Sequence, residues 1–146
     1  KASEAHNLFP ESKNIFTLYK WLTYGQDRVN RAAQASARAN ELYNNGNYEE
    51  ASIQFAEALD LDPLESGYGL NAGLSNFEAK DYKSAINFFN IVIPSKNKEN
   101  SLRAMRFKAL SLFNLNQKVE ACQVFDDLRK RDNKRMYQQE FNKFCK

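Results

Sequence analysis

Apolar residues recur along this chain at steps of three and four, the period of an α-helix with one buried face. In "NGNYEEASIQFAEALDLDP" the recurring set is Tyr48, Ala51, Phe55, Ala58 and Leu59. Gly46 supplies a turn before that set, and Pro63 ends it because proline has no amide hydrogen to continue the ladder. The pattern predicts a back helix over Tyr48–Leu61 and a front helix over Arg31–Asn45 joined by the Gly46 turn. No stretch shows a convincing two-residue alternation bounded by turn signals, so no strand is expected.

The beat repeats. A shift of 34 residues carries Tyr48 onto Tyr82, Ala51 onto Ala85, Phe55 onto Phe89 and Ala39 onto Gly73. A shift of 36 then carries Ala85 onto Ala121, Phe89 onto Phe125 and Gly73 onto Ala109. A period in this range is the mark of stacked helical hairpins. Small residues in the front helices (Ala39, Gly73, Ala109) and back helices (Ala51, Ala85, Ala121) let paired axes approach closely. Tyr48, Phe55, Tyr82 and Phe89 fill the space between hairpins, so that stacking makes one continuous core.

These residues resemble the tetratricopeptide repeat. From Arg31 to Asp132 the chain is similar to three copies in tandem: "ANELYNNGNYEEASIQFAEALDLDP", "LNAGLSNFEAKDYKSAINFFNIVI" and "RFKALSLFNLNQKVEACQVFDDL". It departs from the pattern at Lys80 and Asn116, where the turn glycine is usual, and at Lys118, where an aromatic is usual. The resemblance implies an all-α fold, a right-handed superhelical stack of helix-turn-helix hairpins. It would be organised as an N-terminal helical segment over residues 1–30, three repeats over 31–132 and a C-terminal capping helix over 133–146. "KASEAHNLFP" resembles the tail of a preceding repeat, and "SKNIFTLYKWLTYGQ" is expected as an extra helix with Ile15, Phe16, Tyr19 and Leu22 on its apolar face. "DNKRMYQQEFNKFCK" offers Met136, Tyr137, Phe141 and Phe144 to seal the third repeat.

In such a stack the front helices line the concave face. Residues turned away from the small-residue seam, at 100° per step, should face that groove. They are Asn40, Tyr43 and Asn44 in the first repeat; Leu70, Asn71, Leu74 and Phe77 in the second; and Arg103, Arg106, Leu110, Phe113 and Asn114 in the third. Amides suit a peptide backbone and guanidinium groups suit carboxylates. The set is also similar to part of the carboxylate clamp of co-chaperone repeat domains. Asn40 and Asn71 match its two asparagines and Arg103 one basic position. Ser36 stands where its first lysine belongs, and Phe107 where its last basic residue belongs.

The function these readings imply is a non-enzymatic adaptor or scaffold that holds a peptide or helix of a partner protein, one carrying acidic groups. Two alternatives stay open: a spacer or self-assembly segment of a longer repeat protein, or a secretion-type chaperone. No Walker motif, nucleophile elbow or H-E-x-x-H is present, so no catalytic residue and no cofactor is expected. One histidine, His6, and two distant cysteines do not make a typical zinc site. Cys122 and Cys145 are either small apolar filler or, outside a reducing compartment, a disulfide.

Charge adds one feature. The net +3 divides into 8 basic and 12 acidic residues over 1–95 against 13 basic and 6 acidic over 96–146. The densest run, Arg129–Arg135, reads as a charged inter-helix turn, since no aromatic stacking platform or DNA-reading motif accompanies it. No nucleic-acid partner is expected. No apolar run reaches 18 residues, so no membrane span is expected either. No secretory signal is visible, and the compartment stays undetermined.

Overall fold

The computed structural model describes residues 15–146. Its described residues form seven helices: α1 (Ile15–Asn44), α2 (Tyr48–Leu61), α3 (Ser66–Glu78), α4 (Tyr82–Val92), α5 (Lys98–Asn114), α6 (Lys118–Arg131) and α7 (Arg135–Cys145). They pack in chain order as three hairpins, α1–α2, α3–α4 and α5–α6, closed by α7. The front helices α3 and α5 also touch each other. The repeat-like "KASEAHNLFP" lies outside the described residues.

Three equivalent turns set the hairpins. Gly46, Lys80 and Asn116 all adopt the left-handed conformation, with φ of 81°, 63° and 60°. In each case the next amide bonds back five residues: Asn47 to Leu42, Asp81 to Asn76, Gln117 to Leu112, all at 2.9 Å. This is a Schellman helix end. Lys80 and Asn116 therefore do the work of Gly46, and the loss of glycine in the second and third copies leaves the turn unchanged. Helix starts are capped by side chains where the sequence supplies an acceptor. Asp81 accepts from the Ser84 amide at 3.2 Å, and Asn97 from the Asn100 amide at 3.0 Å.

Ala39, Ala51, Ala85, Ala109 and Ala121 are fully buried. The closest approach is at Gly73, where an added Cβ would stand 2.5 Å from Cε1 of Phe89. Phe55, Phe89 and Phe125, the repeating aromatic of each back helix, are buried to within 1%.

The N-terminal part differs from the expectation of two helices. The extra helix and the first front helix are one rod of 30 residues, α1, which runs through the 30/31 boundary. The stretch between them holds no proline. Gly25 is accommodated without contact, the Gln26 side chain donates to Asn30 at 3.0 Å, and Asp27 lies 4.0 Å from Arg31. These i,i+4 pairs carry the helix across the junction.

Candidate functional site

The site is built on the front helices. Asn40 and Tyr43 of α1 and Asn71 and Leu74 of α3 converge on a pocket of about 160 Å³, with Phe55 of α2 as the fifth wall. The axes meet there because Ala39, Ala51 and Ala72 pack with Phe55 directly beneath. Two amides thus sit at the mouth of a small apolar recess. Tyr43 packs edge-on against Tyr48, with ring centroids 5.0 Å apart. Burial, then Glu78, then Tyr48 raise the Tyr43 pKa above the ordinary phenol value, so its hydroxyl stays a donor at neutral pH.

The other candidate residues are placed differently. Leu70 is only 2% exposed and belongs to the core with Ala85, Phe89, Val92 and Ala104, so its side chain offers a ligand no surface. It occupies the same helical stripe as Gly73 and packs under the groove instead of facing it. Phe77 sits between Tyr82 and Phe107, with centroids 5.5 and 5.3 Å away. Leu110 is half-buried, and Asn44 is exposed. Asn114 is also exposed, but its side chain donates to the Leu110 carbonyl at 2.8 Å. Arg103 is exposed and makes no ion pair among the described residues.

Arg106 and Phe113 face a chain element. Nε of Arg106 donates to Oε1 of Glu140 on α7 at 2.7 Å, and Phe113 lies 5.1 Å from Phe144 of the same helix. Phe107, at the clamp-like position, is tucked against the core with its ring 6.2 Å from Phe89. Ser36 is half-buried on α1. Of the clamp-like set, Asn40, Asn71 and Arg103 have side chains for which no hydrogen bond or ion pair is made among the described residues, and Arg103 is the cation of that set.

Helical geometry extends the face of Asn40 toward the N-terminus through Ser36, Ala33, Val29, Leu22, Leu18 and Ile15. None of these is charged, and Ile15, Leu18, Leu22 and Val29 are exposed. Phe55 and Glu140 were not among the residues expected at the groove. Phe55 carries the spacing of a core residue, and no local pattern ties Glu140 to Arg106.

The fold is that of a tetratricopeptide-repeat domain. The N-terminal domain of stress-induced protein-1 (STI-1) from C. elegans superposes on 82% of this chain and 98% of its own, with a TM-score of 0.73 and 17% identity. The first such domain of Spaghetti (RPAP3), bound to the HSP90 peptide SRMEEVD, covers 80% of this chain and 91% of its own at a TM-score of 0.67 and 18% identity. The second such domain of human RPAP3, in complex with the HSP70 peptide SGPTIEEVD, covers 84% and 98% at 0.68 and 16% identity. No protein-family model and no curated protein sequence matches the chain. No described helix is long and apolar enough to cross a membrane.

Proposed function

We propose that the chain is a non-enzymatic adaptor that holds a peptide segment of a partner protein in its concave groove. The observation that carries this reading is the pocket shared by α1 and α3, where Asn40 and Asn71 flank an apolar recess of Tyr43, Phe55 and Leu74. A carboxamide gives both a donor and an acceptor, the pair a peptide backbone needs. The recess then takes one apolar side chain, and Arg103 meets a carboxylate further along. The peptide complexes of RPAP3 support the same use of this fold. With Ser36 and Phe107 at two clamp-like positions, a peptide rich in terminal carboxylates meets fewer cations than a full clamp offers.

The test is a displayed library of peptides bound to the wild-type domain and to Asn40→Ala/Asn71→Ala. Peptides with an apolar residue beside an acidic one should be enriched, and the double variant should lose at least tenfold in affinity while its circular dichroism stays helical. Equal binding by the variant would place recognition elsewhere. A second reading, a self-assembly segment, is favoured by the exposed apolar stripe Ile15–Leu18–Leu22–Val29. Sedimentation at rising concentration separates the two, since association abolished by Leu18→Ser/Leu22→Ser would assign that stripe to assembly.

A further inference from the structure

Two groove residues of the third repeat, Arg106 and Phe113, are met by the chain's own last helix. Tyr137 anchors the start of α7 in a cluster with Leu102, Met105 and Leu128. One turn on, the Glu140 carboxylate is 14% exposed and receives the Arg106 guanidinium. Phe144 stacks on Phe125 with centroids 5.6 Å apart and leans on Phe113. A disulfide from Cys145 to Cys122 of α6 then fixes the helix end. An acidic side chain thus occupies a groove arginine one turn from Arg103, which makes no ion pair among the described residues.

We propose that Arg106 is a second carboxylate-binding position of the groove, held closed by Glu140 as an internal ligand and latched by the Cys122–Cys145 disulfide. The inference rests on the groove reading given above. A helix of 11 residues is marginal by itself, and a partly exposed ion pair contributes little. Glu140 holds its place because the tether keeps it at high effective concentration. Opening requires a dithiol reductant. Its two thiols supply two electrons, the Cys122–Cys145 bond breaks to two cysteine thiols, and the reductant leaves as its own disulfide. Tyr137 still anchors the front of α7, while the half bearing Phe144 is released. Arg106 then joins Arg103, three residues away on the same helix face, as a pair of cations for an acidic segment.

The full chain is labelled with phenylglyoxal before and after dithiothreitol, and adducts at Arg106 and Arg103 are compared by peptide mass spectrometry. Arg106 should be strongly protected in the oxidised protein and approach Arg103 in the reduced one. Glu140→Gln, which keeps the disulfide, should expose Arg106 without reductant. A labelling ratio unchanged by reduction overturns the latch, and one unchanged by Glu140→Gln overturns the internal ligand. In parallel the peptide SRMEEVD is titrated. Its affinity should rise about three- to tenfold on reduction or in Glu140→Gln, and Arg106→Ala should abolish that gain. No gain, or no binding in any state, overturns the carboxylate site. The pocket on α1 and α3 is judged separately by the Asn40/Asn71 variant, so failure of one reading is distinct from failure of the other.

Discussion

At the C-terminal end of the array, α7 lays Tyr137 into the core, stacks Phe144 on Phe125, pairs Glu140 with Arg106 and is fastened by a disulfide. Arg129 adds a guanidinium 3.9 Å above the Phe141 ring. At the N-terminal end, α1 runs about 20 Å beyond the point where Arg28 donates to the Asp60 carbonyl. Along that overhang Ile15 is 82% and Leu22 55% exposed. Both ends of a stacked array present an apolar face that a neighbouring hairpin would have covered. One is closed by five kinds of contact. The other keeps an uncharged stripe in line with the groove. The contrast teaches that, among the described residues, one end of the array has its apolar face covered by the chain's own helix while the other shows an exposed apolar stripe.

Deleting residues 133–146 should break this contrast most strongly. It bares Leu102, Met105, Phe125 and Leu128 and removes the disulfide, a loss on the order of 5 kcal/mol in chemical denaturation. A truncated domain of unchanged stability would make α7 a mere appendage. Replacing both cysteines with serine should cost about 3 kcal/mol, the scale for a cross-link that closes a loop of this size. If urea midpoints of the oxidised protein and the double variant coincide, α7 is held by packing alone.

The middle of the array gives a reference. Ala85→Leu overpacks a fully buried seam and should cost about 1–3 kcal/mol, read from the same urea curves. Leu18→Ser/Leu22→Ser in the exposed stripe of α1 should change the stability of the monomer by less than about 0.5 kcal/mol. A larger loss would show that this face is covered in solution.

The smallest effect concerns Asp126, whose carboxyl is held below the usual range by hydrogen bonds from Lys130 and Arg129. Because its folded pKa is depressed, its contribution is present above the ordinary carboxylate pKa and fades as pH falls through the lowered value. Stability curves of wild type and Asp126→Asn should therefore differ slightly at neutral pH and merge in acid. Curves that separate further in acid would reverse that sign.

Much of the architecture was legible because it rests on short-range rules. Three- and four-residue spacing marked the helices. Ala51, Ala85 and Ala121 marked the close seams, Gly46 marked the turn inside the first hairpin and Pro63 its end. The helix break expected near residue 30 is absent because nothing in Gln26–Asn30 breaks a helix, while the phase of the repeat pointed to one. Leu70 shows the limit of a helical wheel at the groove. It lies near enough to the seam that only the position of Phe89 and Ala104 decides whether it faces outward or inward.

By itself the sequence determined the all-helical character, the number of hairpins and the residues of the seams, because each follows from contacts within a turn or between adjacent repeats. Tertiary structure alone decided three other matters. Phe55 closes the pocket under Asn40 and Asn71, Glu140 reaches Arg106 across 34 residues of chain, and Cys122 meets Cys145. Each depends on the angle and rise at which one hairpin stacks on the next, and that geometry is the sum of many side-chain contacts with no local signature.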